Sequence, residues 1–247
     1  MKHFLVVQHT YSEFLGLIER QLENRDIGFT YCRPFTGQDV PGSALQHDAL
    51  WLLGGAYPIN DAGHCPWVAD EMRLVGLFRK AGRPVVGIGF GGLVVAAAAG
   101  GTAHAEPAQS AYWTVARATA AGRDDPLAQA VDGREVLVMV DGRVDLPEGV
   151  PVVATDAEGR WIAARPDPQT YALLFRPEVK PGMLEDMIME EGRPTPENIG
   201  ELLAQARERW NDLQATTDRV LVALVSALDL MRERRKAPIF KINVAPS

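Results

Sequence analysis

Short unbroken apolar runs alternate along the first hundred residues with apolar positions spaced three or four apart. Residues 4–7, Phe-Leu-Val-Val, have the length and composition of a strand buried on both faces. A loop through His9 and Ser12 follows. Phe14, Leu15, Ile18 and Leu22 then predict a first helix over residues 12–24. Further strands are predicted at 27–31, at 48–53 ending on Gly54-Gly55, and at 84–88. Pro66-Trp67 opens a helix carrying Val68, Met72, Val75, Leu77 and Phe78, and the alanine-rich run 94–99 is another. Strand and helix in regular alternation predict an α/β fold with a mostly parallel central sheet and helices on both faces.

After Gly101 the pattern changes. Short β-like runs at 112–116, 135–140, 152–155, 161–164 and 171–175 are separated by Asp141-Gly142, Pro147-Glu148-Gly149 and Glu158-Gly159. They predict an antiparallel or mixed portion whose last run rejoins the main sheet. Pro181 opens a helix through residue 189. Residues 193–197 read as a hinge, with Thr195 as N-cap and Pro196 in the first turn of the next helix. Beyond it Leu203, Ala206, Trp210, Leu213, Thr217, Val220, Leu224, Ala227 and Met231 form a seam at three–four spacing. One long helix, or two broken near Thr217-Asp218, would carry it. The seam either docks on the chain's own surface or meets a second copy or a partner enzyme subunit. Ala206 and Thr217 are weak seam residues, which favours docking. Residues 238–247 read as a tail or a short edge strand. The division expected is an α/β domain over 1–192 and a C-terminal helical extension with tail over 193–247.

Composition narrows the function. The 247 residues are 47% hydrophobic and 23% charged, with net charge −7. The basic cluster at 232–236 stands alone, so neither nucleic acid nor a charged membrane surface is an expected partner. Two cysteines make no disulfide framework, and a cytoplasmic location is expected. The first apolar run is too short for a signal peptide, and the longest, 220–228, is too short to span a membrane. No His/Cys/Asp/Glu grouping has metal-ligand spacing, and Gly87-x-Gly89-x-Gly91-Gly92 is not a dinucleotide fingerprint, so no metal or cofactor is expected.

The chemically informative stretch is 84–95, an apolar strand, three closely spaced glycines and a helix. Such an elbow presents a nucleophile in several hydrolases, but here its tip is Gly89. In a parallel sheet His9, Gly54-Gly55 and Gly89 all lie at carboxyl ends of strands and should share one crevice. His64 and Cys65 follow the Gly54-Gly55 loop. They read either as a relocated nucleophile–base pair or as incidental residues, and adjacency in sequence favours the latter. His9 reads as a solvated loop residue, Cys32 as buried and His104 as structural, with Trp67, Trp113 and Trp210 as anchors. The helix start at 91–93 offers an anion site that Arg176 would assist.

Several landmarks together resemble a class I glutamine amidotransferase domain of the type related to the glutaminase part of GMP synthase. They are Gly54-Gly55-Ala56, the turn at 60–63, Pro66-Trp67, the elbow itself, Asp145-Leu146-Pro147-Glu148-Gly149 and Phe175-Arg176-Pro177-Glu178. The resemblance spans roughly residues 3–190. It implies a Cys nucleophile, a His base and a Glu that orients it, with an oxyanion held by two backbone N–H groups. On this sequence the Cys position falls on Gly89 and the His position on Arg176, while the Glu position is met by Glu178. The segments implied to contact glutamine read Gly91-Gly92-Leu93 and Met139-Val140-Asp141-Gly142. The resemblance thus implies a flavodoxin-like fold without the catalytic pair. Candidate ligand residues are Gly55, Ala56, Phe90, Arg176, Glu178, His64 and Cys65, with a small anion as a candidate ligand. The leading expectation is a catalytically inactive binding, regulatory or scaffolding subunit. An amide or γ-glutamyl hydrolase or transferase using other residues is the alternative, and a small-molecule sensor is the third.

Overall fold

The structure, a computed structural model, describes residues 2–106 and 110–231. The first half alternates β1 (Lys2–Val7), α1 (Leu17–Glu23), β2 (Ile27–Cys32), β3 (Ala49–Leu52), α2 (Val68–Lys80), β4 (Val85–Ile88) and α3 (Phe90–Ala98). Then come β5 (Thr102–His104), β6 (Ser110–Val115), β7 (Arg117–Ala118), α4 (Pro126–Val131), β8 (Glu135–Val140) and β9 (Arg143–Asp145). Last are β10 (Val152–Thr155), β11 (Trp161–Asp167), β12 (Thr170–Leu173), α5 (Pro181–Met189), α6 (Ile199–Glu208) and α7 (Trp210–Ala227).

The main sheet runs β2-β1-β3-β4-β12-β11-β10-β7. Its first five strands are parallel and the rest antiparallel, as the change of pattern after Gly101 predicts. β12 rejoins the parallel half beside β4, with Ala172 opposite Gly87. β3, β4 and β12 are buried at every position, which explains why they read as unbroken apolar runs. Helices cover both faces, α2 packing on α3 and α7 on α1 and α4. Two further ribbons, β5–β9 and β6–β8, lie outside the main sheet.

The elbow between β4 and α3 is packed backbone to backbone. A side chain at Gly91 would strike the Leu52 carbonyl, and one at Gly92 the Leu173 carbonyl. The two glycines let α3 lie directly on the ends of β3 and β12.

Several boundaries differ from the sequence expectation. The first helix begins at Leu17, not at residue 12. Gly16 has φ 51° and ψ −119°, which no helix accommodates, and the Leu17 N–H donates to the Glu178 carbonyl (2.9 Å). Helix α4 was not expected, although Asp125-Pro126 is a start signal. Its Asp125 carboxylate accepts from the Leu127 and Ala128 N–H groups. Strands β5, β7 and β9 are two or three residues long, too short for a period. The extension starts at Ile199 with Asn198 as N-cap, so Thr195 and Pro196 do not open it.

The extension is two helices, and the break is at Arg209 rather than near Thr217. Its seam docks on the chain's own surface. Leu213, Val220 and Leu224 are buried, and α6 packs on α5 and β6. Thr217, poor as an apolar seam residue, is buried because its hydroxyl donates to the Pro177 carbonyl (2.5 Å). Residues 232–236 and 238–247 lie outside the described residues. Among the described residues, no helix is long and apolar enough to cross a membrane.

Two glycine substitutions separate packing from propensity. Gly91→Ala puts a methyl group into a backbone carbonyl and should cost about 2–4 kcal/mol in denaturant unfolding. Gly76→Ala, in the exposed middle of α2 with open space around it, should stabilise by about 0.5–1 kcal/mol.

Candidate functional site

Gly89 sits at the tip of the elbow with φ 57° and ψ −118°, and its N–H donates to Leu173 O (2.8 Å). That conformation is strained for any residue with a Cβ. A Cβ there would also lie 3.0 Å from Arg176 Cδ and 3.2 Å from Met139 O. The arginine side chain lies across the glycine and takes up the space above it.

Arg176 follows β12, and its side chain is 0% exposed. Nε donates to Glu178 Oε1 (2.5 Å) and Nη1 to Glu13 Oε1 (2.8 Å). The pairing of Arg176 with Glu178 follows from alternate residues of an extended segment sharing a face. Glu13 comes from the loop after β1 and is equally buried. Its other oxygen accepts from Arg193 Nη2 and Thr10 Oγ1, both at 3.1 Å. Glu190 continues the series, 3.9 Å from Arg193 Nε. It accepts from the Tyr11 and Ser12 N–H groups and from the Ser12 hydroxyl. Charges of alternating sign thus run Glu178, Arg176, Glu13, Arg193, Glu190.

Burial of such ions is costly, and each is held only by its neighbours. Burial opposes the charge on Glu13, but Arg193 and Arg176 overcome it and draw its pKa down to about 2. Burial also opposes the charge on Arg176, yet Glu178 and Glu13 raise its pKa above the ordinary arginine value. For Glu178 burial wins over Arg176, and the carboxyl titrates above its ordinary value. Among the described residues, Arg176 Nη2 and Glu178 Oε2 have no hydrogen-bond partner, so the cluster is not fully satisfied.

His9 is not the solvated residue expected from its loop. It is buried, with Nδ1 3.0 Å from Leu53 O and 2.9 Å from Gly54 O and with Nε2 3.0 Å from Glu71 Oε1. Burial disfavours its charge, but Glu71, the Gly54 carbonyl and Glu13 together raise its pKa above 6.5. Its ring lies 4.5 Å from that of Phe90.

Gly55, Ala56, Phe90, His64 and Cys65 do come together. With His9 and residues 190–193 they line a cleft of about 230 Å³. Arg176 and Glu178 do not line it; they are buried, and the guanidinium expected to assist an anion is engaged by Glu13 and Glu178. The Gly91 N–H of the expected anion site is taken by Leu53 O. Cys65 is buried, and burial beside Glu71 pushes its thiol up to about 12. His64 bonds Asp61 through Nδ1 (2.8 Å) and stacks on Tyr57, ring centroids 4.1 Å apart. His104 bonds Asp145 on the β5–β9 ribbon (2.8 Å), and Cys32 is buried. Among the described residues, no group of three or more His, Cys, Asp or Glu is arranged to hold a metal.

Solved structures share this architecture. A glutamine amidotransferase from Methylobacillus flagellatus superposes with a TM-score of 0.79 at 18% identity, over 98% of this chain and 99% of that one. One from Thermotoga maritima gives 0.75 at 18% identity, over 91% and 98%. A candidate GMP synthase subunit from Thermoplasma acidophilum gives 0.60 at 15%, over 94% and 98%. The chain shares the fold of these proteins. No family model matches its sequence, and no curated protein matches it either. The buried charges cluster over the elbow tip and the cleft opens beside it.

Glu13, Glu190 and Arg193 were not singled out in the sequence. Glu13 sits between apolar Phe14 and a Tyr-Ser loop, and its arginine partners lie 163 and 180 positions away. The Arg193-Pro194 hinge was visible, but nothing local marks its arginine as buried.

The cluster predicts an acid limb of stability. An unfolded Glu13 binds its proton near pH 4.5, the folded one only near pH 2. Its contribution is therefore full above pH 4.5 and is lost as pH falls toward 2, on the order of 3 kcal/mol. Glu178 and His9, both raised, act with the opposite sign at higher pH and do not offset that limb. Urea midpoints between pH 5 and 2.5 should fall steeply. Glu13→Gln should flatten this limb and cost about 3–5 kcal/mol at neutral pH, because it strands two buried arginines. A carboxyl carbon of Glu13 titrating near its ordinary value by NMR would remove the basis for both.

Proposed function

We propose that this chain is a glutamine amidotransferase-like protein without glutaminase activity, acting as a binding, regulatory or scaffolding subunit. The observation that carries the reading is the Arg176 side chain lying over Gly89, pinned by Glu13 and Glu178. Glutamine hydrolysis by a thiol requires a nucleophile at the elbow tip and a base beside it. Gly89 supplies no nucleophilic atom. A guanidinium with pKa above about 12, raised further here, accepts no proton near neutrality. A side chain added at the elbow tip would meet the arginine stem.

Relocated chemistry has little support. With a pKa near 12, Cys65 holds on the order of one thiolate in 10⁵ at pH 7. The cleft itself supports a second reading, a small-molecule sensor. Gly55, Ala56, His64 and Phe90 still face it, so a ligand has somewhere to bind without reacting. Assembly with a second copy or a partner enzyme subunit would use the outward side of α6 and α7, where Val222 remains exposed.

The purified protein should release no ammonia from glutamine above the buffer blank, with Cys65→Ala indistinguishable from wild type. Release that Cys65→Ala abolishes would overturn the inactive reading. Affinity capture from the native cell, combined with sedimentation, should return a stoichiometric partner or a dimer. A monomer that captures nothing and shows no melting shift with any small metabolite would count against a binding role.

A further inference from the structure

A second, larger cavity has a lining distinct from that of the cleft beside the elbow. The β6–β8 ribbon is apolar on both faces. Ala111, Trp113, Leu137 and Met139 pack with α5 and α6 in a core of their own. Tyr112, Val138 and Val140 face the other way, toward β10 and β11 of the main sheet. The two layers do not close on each other. A cavity of about 710 Å³ remains between them, in the size range of small-molecule sites. Its inner wall is Val138, Val140, Val152 and Leu174, a surface that offers water few partners.

The mouth is polar and unequally committed. Arg160 donates through Nε to Asp156 (2.6 Å) and through Nη2 to Glu158 (3.0 Å), and its guanidinium lies over the Tyr112 ring at 4.7 Å. Trp161 Nε1 donates to Val144 O. Asp145 also faces the cavity, but its carboxylate accepts from Arg143 Nε (3.2 Å) and His104 Nε2 (2.8 Å). Arg143 is bonded through Nε and is half exposed. Its Nη edge is thus a strong donor set at the mouth that a ligand can take up, less committed than Arg160, which two carboxylates engage, and its planar fork matches an acid group.

We propose that this cavity binds an amphipathic organic anion, with an apolar ring or chain against Val138, Val140, Val152 and Leu174 and a carboxylate or sulfonate on Arg143. The site is separate from the cleft beside the elbow, shares no residue with it and does not depend on the reading given for that cleft.

Two probes of nearly the same shape test it: 8-anilino-1-naphthalenesulfonate, which is anionic, and N-phenyl-1-naphthylamine, which is neutral. Both should bind the intact protein saturably at one site, the anion more tightly, and decanoate should displace it. Arg143→Gln should weaken the anionic probe about tenfold, the value of one charge-assisted contact, and leave the neutral probe within about twofold. Ala121→Trp, at the exposed mouth, should abolish both while near-UV circular dichroism stays unchanged. No saturable binding up to 1 mM would overturn the proposal, as would binding that survives Ala121→Trp. Equal loss of both probes in Arg143→Gln would overturn the assignment of the acid group to Arg143. Arg143 is at the surface, so that variant keeps its fold and the test remains readable if the mouth substitution does not.

Discussion

Arg176 is a fully buried positive charge, and the surrounding loops supply its neutralisation. Glu178 answers it from its own segment and Glu13 from the loop after β1. Glu13 in turn requires Arg193, and Arg193 lies beside Glu190, which ties down the backbone of residues 11 and 12. Each ion is tolerable only because the next is present. Such a chain is a poor source of net stability, since apolar residues of the same volume would often do as well. What it does supply is position: three segments distant in sequence have one way to meet.

The same cluster explains why the elbow can keep its geometry. Gly89 adopts a backbone that a larger residue would hold under strain, and Arg176 fills the room that the missing side chain leaves. Glycine and arginine are complementary at this turn, since the arginine stem lies where a side chain on Gly89 would project. The cleft beside it is a different environment, lined by a stacked His64–Tyr57 pair and by a cysteine whose thiol stays protonated. The ionic chain thus runs from a filled interior around Arg176 to the wall of an accessible cleft, which Glu190 and Arg193 share.

Much of the architecture was legible in the sequence because parallel strands buried on both faces leave unbroken apolar runs. Residues 4–7 and 84–88 are examples, and β8 and β10 matched to the residue. The start of α1 was misread because Leu15, Ile18 and Leu22 keep a helical spacing although Gly16 interrupts the helix. At the site, the elbow and the Arg176–Glu178 pair could be read locally, since neighbouring positions determine them. Glu13 and the His9–Glu71 pair could not. A buried charge is recognised by its partner, and those partners come from other strands and helices. Thr217 shows the converse: a residue discounted as too polar for a seam is buried there because its hydroxyl finds a carbonyl.

The separation of Glu13 from its arginines has a consequence for how the chain is made. At about 5–20 residues per second, Glu13 leaves the ribosome on the order of ten seconds or more before Arg176 and Arg193 exist. Until then its carboxylate has no counter-ion and must stay in water, so the loop after β1 cannot take its final place. β1 and β2 can pair early, but the region around the elbow tip closes only when residue 193 has been synthesised. The ionic chain thereby makes the interior of the nascent protein wait for its C-terminal third, and truncated products are left with an open, hydrated centre.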